Sequence, residues 1–237
     1  MYEDTLIIFT TDHGHMLGEH GFTGKNIMHA YNEMAHIPLM IHFPGAKESG
    51  KRVKALTQNI DLMPTILQHH GCKIPERVKG MSLRDIAEDR EKPREQVIYG
   101  WFGRAVNVYD GRYTYFRAPE NRENSPLYQY CAIPSTCWRY FDERYAQAME
   151  MGRFLPYTHY PVYKIPALFP EDYSGNIEYV MTSMLFDLQN DYEQLNRLED
   201  AEKEADMCKK LEAGMREAQA PEEQYVRLGL KGTEKTG

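Results

Sequence analysis

An uninterrupted apolar run, Leu6 to Phe9, constrains the fold of this chain more than any other feature. The run shows no polar alternation, which is typical of a central strand covered on both faces in a parallel sheet. It is followed by Asp12 and His13, and a glycine-rich stretch up to Lys25 then interrupts regular structure. Because ligands of open α/β sheets bind beyond the carboxyl ends of the strands, we expect the chemistry of this chain to lie here.

Asp12 and His13 are suited to bind a divalent metal ion, because a carboxylate supplies hard oxygen and an imidazole supplies nitrogen. Two other interpretations are open at this point. Asp12 would cap the next segment, and His13 would be an ordinary hydrogen-bonded side chain. Lys25 follows Asp12 by thirteen positions and would return a positive charge to the same crevice.

The segment TTDHGHMLGEHGFTGK at 10 to 25, together with HIPLMIHFPG at 36 to 45, resembles the second half of sulfatases in the alkaline phosphatase superfamily. The resemblance implies that Asp12 and His13 ligate the active-site metal. It implies that Lys25 contacts the sulfate oxygens and serves as the catalytic and substrate-binding cation of this stretch.

Three other polar residues of this stretch carry no chemistry by the same resemblance. His20, in Gly-Glu-His-Gly, is expected to shape the loop near the site without being a ligand. His15 and Glu19 match no functional position, and we expect them to be solvated loop residues.

The fold class implied by the resemblance is α/β, the C-terminal portion of a doubly wound sulfatase/alkaline-phosphatase-like sheet plus a small antiparallel-sheet α+β subdomain. Residues 1–95 would form the C-terminal part of the α/β catalytic domain. Residues 96–237 would form the C-terminal subdomain, with a small antiparallel sheet, an aromatic insertion at 119–183 and a terminal helix.

Local patterns predict the elements of the first part. A short helix is expected from Asn26 to Ala35 and strands from Leu39 to Phe43 and from Val53 to Thr57. Asp61 is expected to cap a helix that Gly71 ends, and not to take part in catalysis. IDLMPTILQHHG at 60 to 71 also resembles a helix of the sulfatase family, and Gly-Met-Ser-Leu at 80 to 83 resembles a structural turn.

The second part is predicted to be mainly antiparallel. Residues 97–119 indicate two or three strands with Asp110-Gly111 as a hairpin turn, and Met184 to Leu188 would be the last strand. LFDLQNDYEQLNRL at 185 to 198 resembles a sulfatase signature in which Tyr192 replaces proline, a change expected to loosen the turn. Apolar residues from Leu198 to Met215 recur every three or four positions, which predicts an amphipathic helix.

Aromatic side chains are dense in the insertion, and two interpretations of them stay open. They would line a pocket for a sugar or aryl ring, or they would pack the insertion onto the sheet. In either case we expect the insertion to help select the substrate. The residues concerned are Tyr128, Tyr130, Trp138, Tyr140, Phe141, Tyr145, Tyr157, Tyr160 and Tyr163.

Composition narrows the possible partners. The formal net charge of -7 argues against a nucleic-acid partner, and no apolar run approaches the roughly 20 residues of a transmembrane helix. The four cysteines show no metal-site spacing; Cys131 and Cys137 would pair only in an oxidising compartment. The lack of a disulfide framework favours a soluble, cytoplasmic protein. An exposed strand edge would favour a homo-oligomer.

The Cys/Ser-x-Pro-x-Arg motif that sulfatases convert to formylglycine does not occur in this sequence, and neither does the family's early Asp-Asp metal pair. We therefore expect the chain to be a piece of a longer hydrolase, with formylglycine upstream, and to lack turnover by itself. The metal implied by the resemblance is Ca²⁺, and the substrate is a small-molecule or carbohydrate sulfate ester.

Two alternatives remain from the sequence. Phosphonate monoester hydrolases and phosphodiesterases share the Asp-His-Gly and Gly-Lys motifs, and His13 suits the Mn²⁺ or Zn²⁺ of such enzymes better than Ca²⁺. The second alternative is a non-catalytic binding domain derived from a truncated enzyme, which the missing nucleophile favours.

Overall fold

A four-stranded antiparallel sheet is the largest element of the fold. The computed structural model describes residues 2–25, 29–45, 50–135, 140–167 and 181–230. The sheet has the order β11-β7-β6-β5. Its strands are β5 (Val97–Gly100), β6 (Val106–Tyr109), β7 (Tyr113–Arg117) and β11 (Met184–Asp187). The predicted strands of this region and the predicted last strand are therefore confirmed.

The hairpin between β6 and β7 is fixed by Asp110. Its Oδ1 accepts hydrogen bonds from the backbone N–H groups of Arg112 and Tyr113, at 3.0 and 2.8 Å. Gly111 has a φ of 97°, in the left-handed region that glycine adopts without strain. The predicted Asp-Gly turn is thus confirmed.

Helix α4 (Ala201–Glu217) covers one face of the sheet. Asp200 caps its N-terminus by accepting a hydrogen bond from the N–H of Lys203 at 2.9 Å. Burial of each large side chain on its apolar face contributes about 1.5–3 kcal/mol. The core on this face contains Val108, Tyr115, Leu185, Met207, Leu211, Met215, Tyr225 and Leu228. The predicted amphipathic helix is confirmed, and α5 (Glu222–Arg227) follows it.

A second core joins the two predicted parts of the chain. The apolar side chains of the first hundred residues that enter it come from β2 (Met16–Leu17), from Tyr31 and from α1 (Asn32–Ala35). Their partners belong to the four-stranded sheet and the segment before β6. The cluster contains Met16, Tyr31, Met34, Ala105, Phe116, Met184 and Phe186.

Strand β1 (Ile7–Thr10) departs from the prediction of a central parallel strand. It pairs antiparallel with β4 (Leu39–His42), and the two form a two-stranded sheet. Phe9 and Met40 lie opposite each other and are 58% and 61% exposed. The prediction of cover on both faces is wrong for this structure, since the described residues supply no layer over that face.

The first predicted helix is shorter than expected, whereas the helix predicted between Asp61 and Gly71 is present. Of the predicted helix from Asn26 to Ala35, the structure has α1, while residues 26–28 lie outside the described ranges. Val53 to Thr57 is not a strand, because the only pairing described there is an isolated bridge between Leu56 and Arg94. Helices α2 (Leu62–His69) and α3 (Leu83–Ala87) follow.

Asp61 does not cap α2 with its side chain. Its carboxylate is fully buried and accepts two hydrogen bonds from Arg94, at 2.6 and 2.8 Å, and one from the N–H of Met81, at 2.8 Å. The fourth comes from the N–H of Gln58, at 2.8 Å, within the short 3₁₀ turn Asn59–Asp61. The expected cap is instead a buried ion pair.

The insertion at 119–183 forms a three-stranded sheet of order β8-β10-β9, built by β8 (Tyr128–Cys131), β9 (Glu150–Gly152) and β10 (Val162–Pro166). Its aromatic residues differ in burial: Tyr145 is buried, whereas Tyr140 and Tyr160 are 78% and 72% exposed. Cys131 is a free thiol, and Cys137 and Trp138 lie outside the described residues.

Candidate active site

The structure brings Asp12, His13 and Lys25 together. The Nζ of Lys25 lies 2.7 Å from the Nε2 of His13, and that Nε2 lies 3.4 Å from the Oδ2 of Asp12. Asp12 and His13 follow β1, and Lys25 follows β3 (Thr23–Gly24), which pairs antiparallel with β2. This small ribbon folds the glycine-rich stretch back, so that residues twelve positions apart, His13 and Lys25, face each other.

Hydrogen bonds define the tautomer of His13. Its Nδ1 lies 2.7 Å from the carbonyl oxygen of Gly14, which only accepts, so Nδ1 carries the proton. Nε2 then accepts from the Lys25 ammonium with its single lone pair, so a metal ion at Nε2 would take the place of that hydrogen bond. This is the arrangement in which an imidazole binds a metal ion, with the second nitrogen donating to a carbonyl.

Asp12 is a charged and accessible ligand. Its side chain is 82% exposed, against 29% for His13. Desolvation raises the pKa of Asp12, but hydrogen bonds from backbone N–H groups and the Thr11 hydroxyl, with the neighbouring imidazole of His13, outweigh it and lower the pKa below the usual value. The carboxylate is therefore ionised at neutral pH.

Close backbone contacts hold the site loop against α1. The N–H of Gly14 donates to the carbonyl of Met34 at 2.9 Å. A Cβ on Gly14 would lie 1.6 Å from the carbonyl oxygen of Glu33, so only glycine fits at this approach. On the other side of the loop, the Thr11 hydroxyl donates to the carbonyl of His13 at 3.1 Å.

The structure places the remaining histidines of the loop away from the cluster. His20 stacks on Tyr31 with ring centroids 3.7 Å apart, and its Nε2 lies 3.8 Å from Glu33. It also has a positive φ of 52°, which is uncommon for a residue other than glycine, and its expected part in shaping the loop stays a prediction. His15 and Glu19 are exposed, as expected of solvated loop residues.

Helix α1, which supports the site loop, is itself held by the segment after β11. The N–H of Asn32 donates to Gln194, and the Asn32 amide donates to the carbonyl of Tyr192, both at 2.7 Å. The Tyr192 hydroxyl lies 2.7 Å from the Nδ1 of His36. Tyr192 therefore connects this segment to α1 and to the residue that follows it, while the expected effect of Tyr192 on the turn itself stays a prediction.

Asn59 is a site neighbour that the sequence did not reveal. Its amide Nδ2 donates to the carbonyl of Asp12 at 3.2 Å, across 47 positions of sequence. Asn59 lies just before the segment at 60 to 71 that resembles a sulfatase helix. This position next to a family-like segment was the one sequence feature that could have pointed to Asn59.

The donors present fit a divalent metal in kind and in spacing. Two atoms that bind one cation at about 2.3 Å lie about 3 Å apart, close to the separation of Asp12 Oδ2 and His13 Nε2. In the described ranges no group of three His, Cys, Asp or Glu side chains converges on a common point. The described residues thus offer two protein ligands, and a full shell requires others.

Comparison with known proteins finds similarity to the C-terminal part of sulfatases. A family profile described as N-sulphoglucosamine sulphohydrolase, C-terminal, matches residues 18–117. An N-acetylglucosamine-6-O-sulfatase of Bacteroides thetaiotaomicron is 37% identical over 90 residues, which are 38% of this chain and 16% of that protein. An arylsulfatase of Clostridium perfringens is 35% identical over 111 residues, 45% of this chain and 23% of that protein.

The fold is similar to that of solved sulfatases. A protein solved in complex with its substrate D-glucosamine-2-N,6-O-disulfate superposes with a TM-score of 0.61 at 18% identity, covering 92% of this chain and 35% of that one. This likeness establishes the fold, and it confirms the predicted fold class of a C-terminal α/β sulfatase portion with an antiparallel subdomain.

The fold, the Asp-His pair behind an apolar strand and the returning lysine agree with the predicted resemblance to sulfatases of the alkaline phosphatase superfamily. The chain is similar over residues 18–117 to the C-terminal part of a sulfatase. It spans less than a quarter of the length of the two relatives named above. No helix among the described residues is long and apolar enough to cross a membrane.

Proposed function

We propose that this chain forms one wall of the active site of a metal-dependent hydrolase of sulfate esters. The observation that carries the proposal is that the Nε2 of His13 lies 2.7 Å from the Lys25 ammonium and 3.4 Å from the Asp12 carboxylate. Asp12 and His13 would hold a divalent ion, and Lys25 would contact the sulfate group. The substrate class we propose is a carbohydrate or other small-molecule sulfate ester, since relatives with similar sequences are named for such activities.

Each residue has a defined task in this proposal. His13 keeps its Nε2 unprotonated because Nδ1 is committed to the Gly14 carbonyl, and a bound metal ion would replace the hydrogen bond from Lys25 at that nitrogen. Asp12 contributes a full negative charge beside it. Lys25 places an ammonium donor where the negative charge of a sulfuryl oxygen increases in the transition state, and such a positioned donor contributes about 3–4 kcal/mol in enzymes. A bound divalent ion supplies Lewis-acid polarisation of the sulfuryl oxygens.

The metal is proposed to be Ca²⁺, with Mn²⁺ or Zn²⁺ as the alternative that accompanies a phosphonate or phosphodiester substrate. Titration of the chain with Ca²⁺ and Mn²⁺, followed by NMR at Asp12 and His13, tests the ligands. We expect His13→Ala to abolish the response and His15→Ala, on the same loop but exposed, to preserve it. Equal responses in both variants would refute His13 as a ligand.

The role of Lys25 is tested by anion binding to the metal-loaded chain. We expect a sulfate monoester to bind, Lys25→Ala to weaken binding, and the exposed Lys73→Ala to leave it unchanged. Tighter binding of a phosphonate monoester than of the sulfate ester would favour the alternative hydrolase. Binding of neither anion would favour a non-catalytic domain.

The chain alone is proposed to lack turnover, because the Cys/Ser-x-Pro-x-Arg motif does not occur in its sequence. Formylglycine would come from outside these residues. Assay of the purified chain with an aryl sulfate is expected to give no product above background. A sulfatase rate that Lys25→Ala removes would overturn this expectation.

A further inference from the structure

We propose that Asn59 is a positioning residue that sets the direction in which Asp12 and His13 present their side chains; the inference rests on the function proposed above. The Asn59 amide donates to the carbonyl oxygen of Asp12 at 3.2 Å. That carbonyl belongs to the peptide unit joining Asp12 to His13. In this proposal Asn59 acts through the backbone of the loop and is not itself a ligand.

The planarity of the peptide makes this one contact effective. The Cα atoms of Asp12 and His13 lie in the plane of the peptide unit between them, since rotation about its C–N bond is blocked. A donor that fixes the direction of the carbonyl therefore restricts the plane on which both ligand side chains are mounted. The carbonyl of the next peptide lies 3.1 Å from the Thr11 hydroxyl, which is also 3.3 Å from the Asp12 carboxylate.

The backbone of a positioning residue must itself be fixed. The turn that carries Asn59 is fixed by the hydrogen bonds of Asp61 and by the close approach of Gly80. Asp61, two positions on, is fully buried and bonded to Arg94 and to the N–H of Met81. Gly80 lies so close to this turn that a Cβ would be 2.0 Å from the carbonyl oxygen of Ile60. The Asn59 backbone is thereby anchored while its side chain stays exposed and reaches the site loop.

The same turn supplies a matched control. Gln58 also carries a side-chain amide, but its Nε2 donates to the carbonyl of Ile98 in β5, at 2.8 Å, away from the site loop. Loss of the Gln58 amide reports how much a loosened turn disturbs the site. Loss of the Asn59 amide adds the effect of the missing bond to Asp12.

The test uses the full chain in three forms: wild type, Asn59→Ala and Gln58→Ala. The ¹³C resonance of the Asp12 carbonyl is measured without metal, and we expect it to move upfield in Asn59→Ala only. Mn²⁺ is then titrated, and the broadening of Asp12 and His13 signals gives its affinity. We expect Asn59→Ala to bind Mn²⁺ about three- to tenfold more weakly, the range for loss of one bond that supports a ligand.

The outcomes separate the inference from the function on which it rests. If the wild type binds Mn²⁺ at Asp12 and His13 and Asn59→Ala binds it equally well, the positioning role is refuted and the proposed site stands. If Gln58→Ala weakens binding as much as Asn59→Ala, the effect is general loosening, and the role is also refuted. If millimolar Mn²⁺ broadens neither residue in the wild type, the proposed metal site fails and the inference fails with it.

Discussion

Asp61 and Arg94 form an ion pair in which both side chains are shielded from water. The carboxylate is fully buried and the guanidinium side chain is 8% exposed. A charge left without its partner in such a place retains the cost of desolvation and loses the attraction that offset it. The pair also ties the turn beside the site to the segments around residues 81 and 94.

We predict that Arg94→Ala lowers the free energy of unfolding by about 3–5 kcal/mol. Chemical denaturation followed by circular dichroism measures the change. Lys92→Ala is the control, because the Lys92–Glu95 pair is solvent-exposed and should contribute almost nothing. Equal losses in the two variants would contradict a stabilising role for the buried pair.

Gly14 tests whether the approach of the site loop to α1 is as close as the backbone contacts indicate. Because a Cβ would overlap the carbonyl oxygen of Glu33, Gly14→Ala must push the loop away from α1. Gly21 is the control: it has a φ of 75° and open space around its Cα, so Gly21→Ala introduces backbone strain of about 1 kcal/mol without a clash.

We predict that Gly14→Ala destabilises the chain more than Gly21→Ala and also moves the NMR signals of Asp12 and His13. Denaturation and an amide correlation spectrum measure the two effects. A Gly14→Ala variant with unchanged signals at Asp12 and His13 would show that the loop does not depend on this contact.

At the scale of elements, helix α4 and the β6–β7 hairpin are joined by one ion pair. The Nζ of Lys210 lies 2.6 Å from the Oδ2 of Asp110. Burial raises the pKa of Asp110, but hydrogen bonds from Lys210 and from the N–H groups of the turn outweigh it and hold the pKa below 3.8. Desolvation lowers the pKa of Lys210, and the bonds to Asp110 and Asp206 outweigh it and raise the pKa above 10.5.

The pair predicts a defined pH window of stability. A carboxyl group with a depressed pKa stabilises the fold above its unfolded pKa, and this is lost as pH falls through the folded value. The difference in unfolding free energy between wild type and Asp110→Asn should therefore be constant near neutral pH and shrink below about pH 4. Denaturation curves at several pH values measure it. A difference that stays constant down to pH 2 would contradict the depressed pKa.

Elements whose pattern lies within one segment were predictable. The Asp110-Gly111 turn, the strands on either side of it and the apolar stripe of α4 follow from local spacing, and the structure has them. The partner of β1 was not predictable. An apolar run indicates that both faces of a strand are buried, but it does not indicate which strand pairs with it. The prediction of a strand from Val53 to Thr57 was wrong for a related reason. A short β-branched run forms a strand only where a partner strand lies beside it.

The candidate site shows the same division. Asp12, His13 and Lys25 stand in one motif, and their grouping was predicted from the resemblance. Asn59 and Asp61 act through contacts that are distant in sequence: Asn59 reaches a backbone carbonyl, and Asp61 is paired with Arg94, 33 positions away. No periodicity or cap pattern encodes such contacts.

At the scale of the whole molecule, one face of the β1–β4 sheet is apolar and open to solvent. Ile7, Phe9 and Met40 are 42%, 58% and 61% exposed, and they share this face because Phe9 pairs with Met40 and Ile7 lies two positions before Phe9. A contiguous apolar face beside open strand edges favours association.

We predict that the isolated chain self-associates in a concentration-dependent way and that Phe9→Lys reduces this. Light scattering coupled to size-exclusion chromatography measures the mass distribution. Tyr140→Lys is the control, since Tyr140 is 78% exposed but lies in the 119–183 region, away from this sheet. If both substitutions change association equally, or neither does, the β1–β4 face is not the contact surface.

The hydrogen bond between Asn32 and Gln194 joins residues 162 positions apart, and it holds the helix against which the site loop rests. Closing a loop of this length costs chain entropy, and the contacts that offset this cost form only once the ends meet. Such contacts are therefore expected to form late in folding. During synthesis, Asp12, His13 and Lys25 leave the ribosome early. The segment that holds helix α1 in place leaves it only after residue 194 has been made. We therefore expect the Asp12 loop to become protected from proteases during synthesis only after residue 194 has left the ribosome.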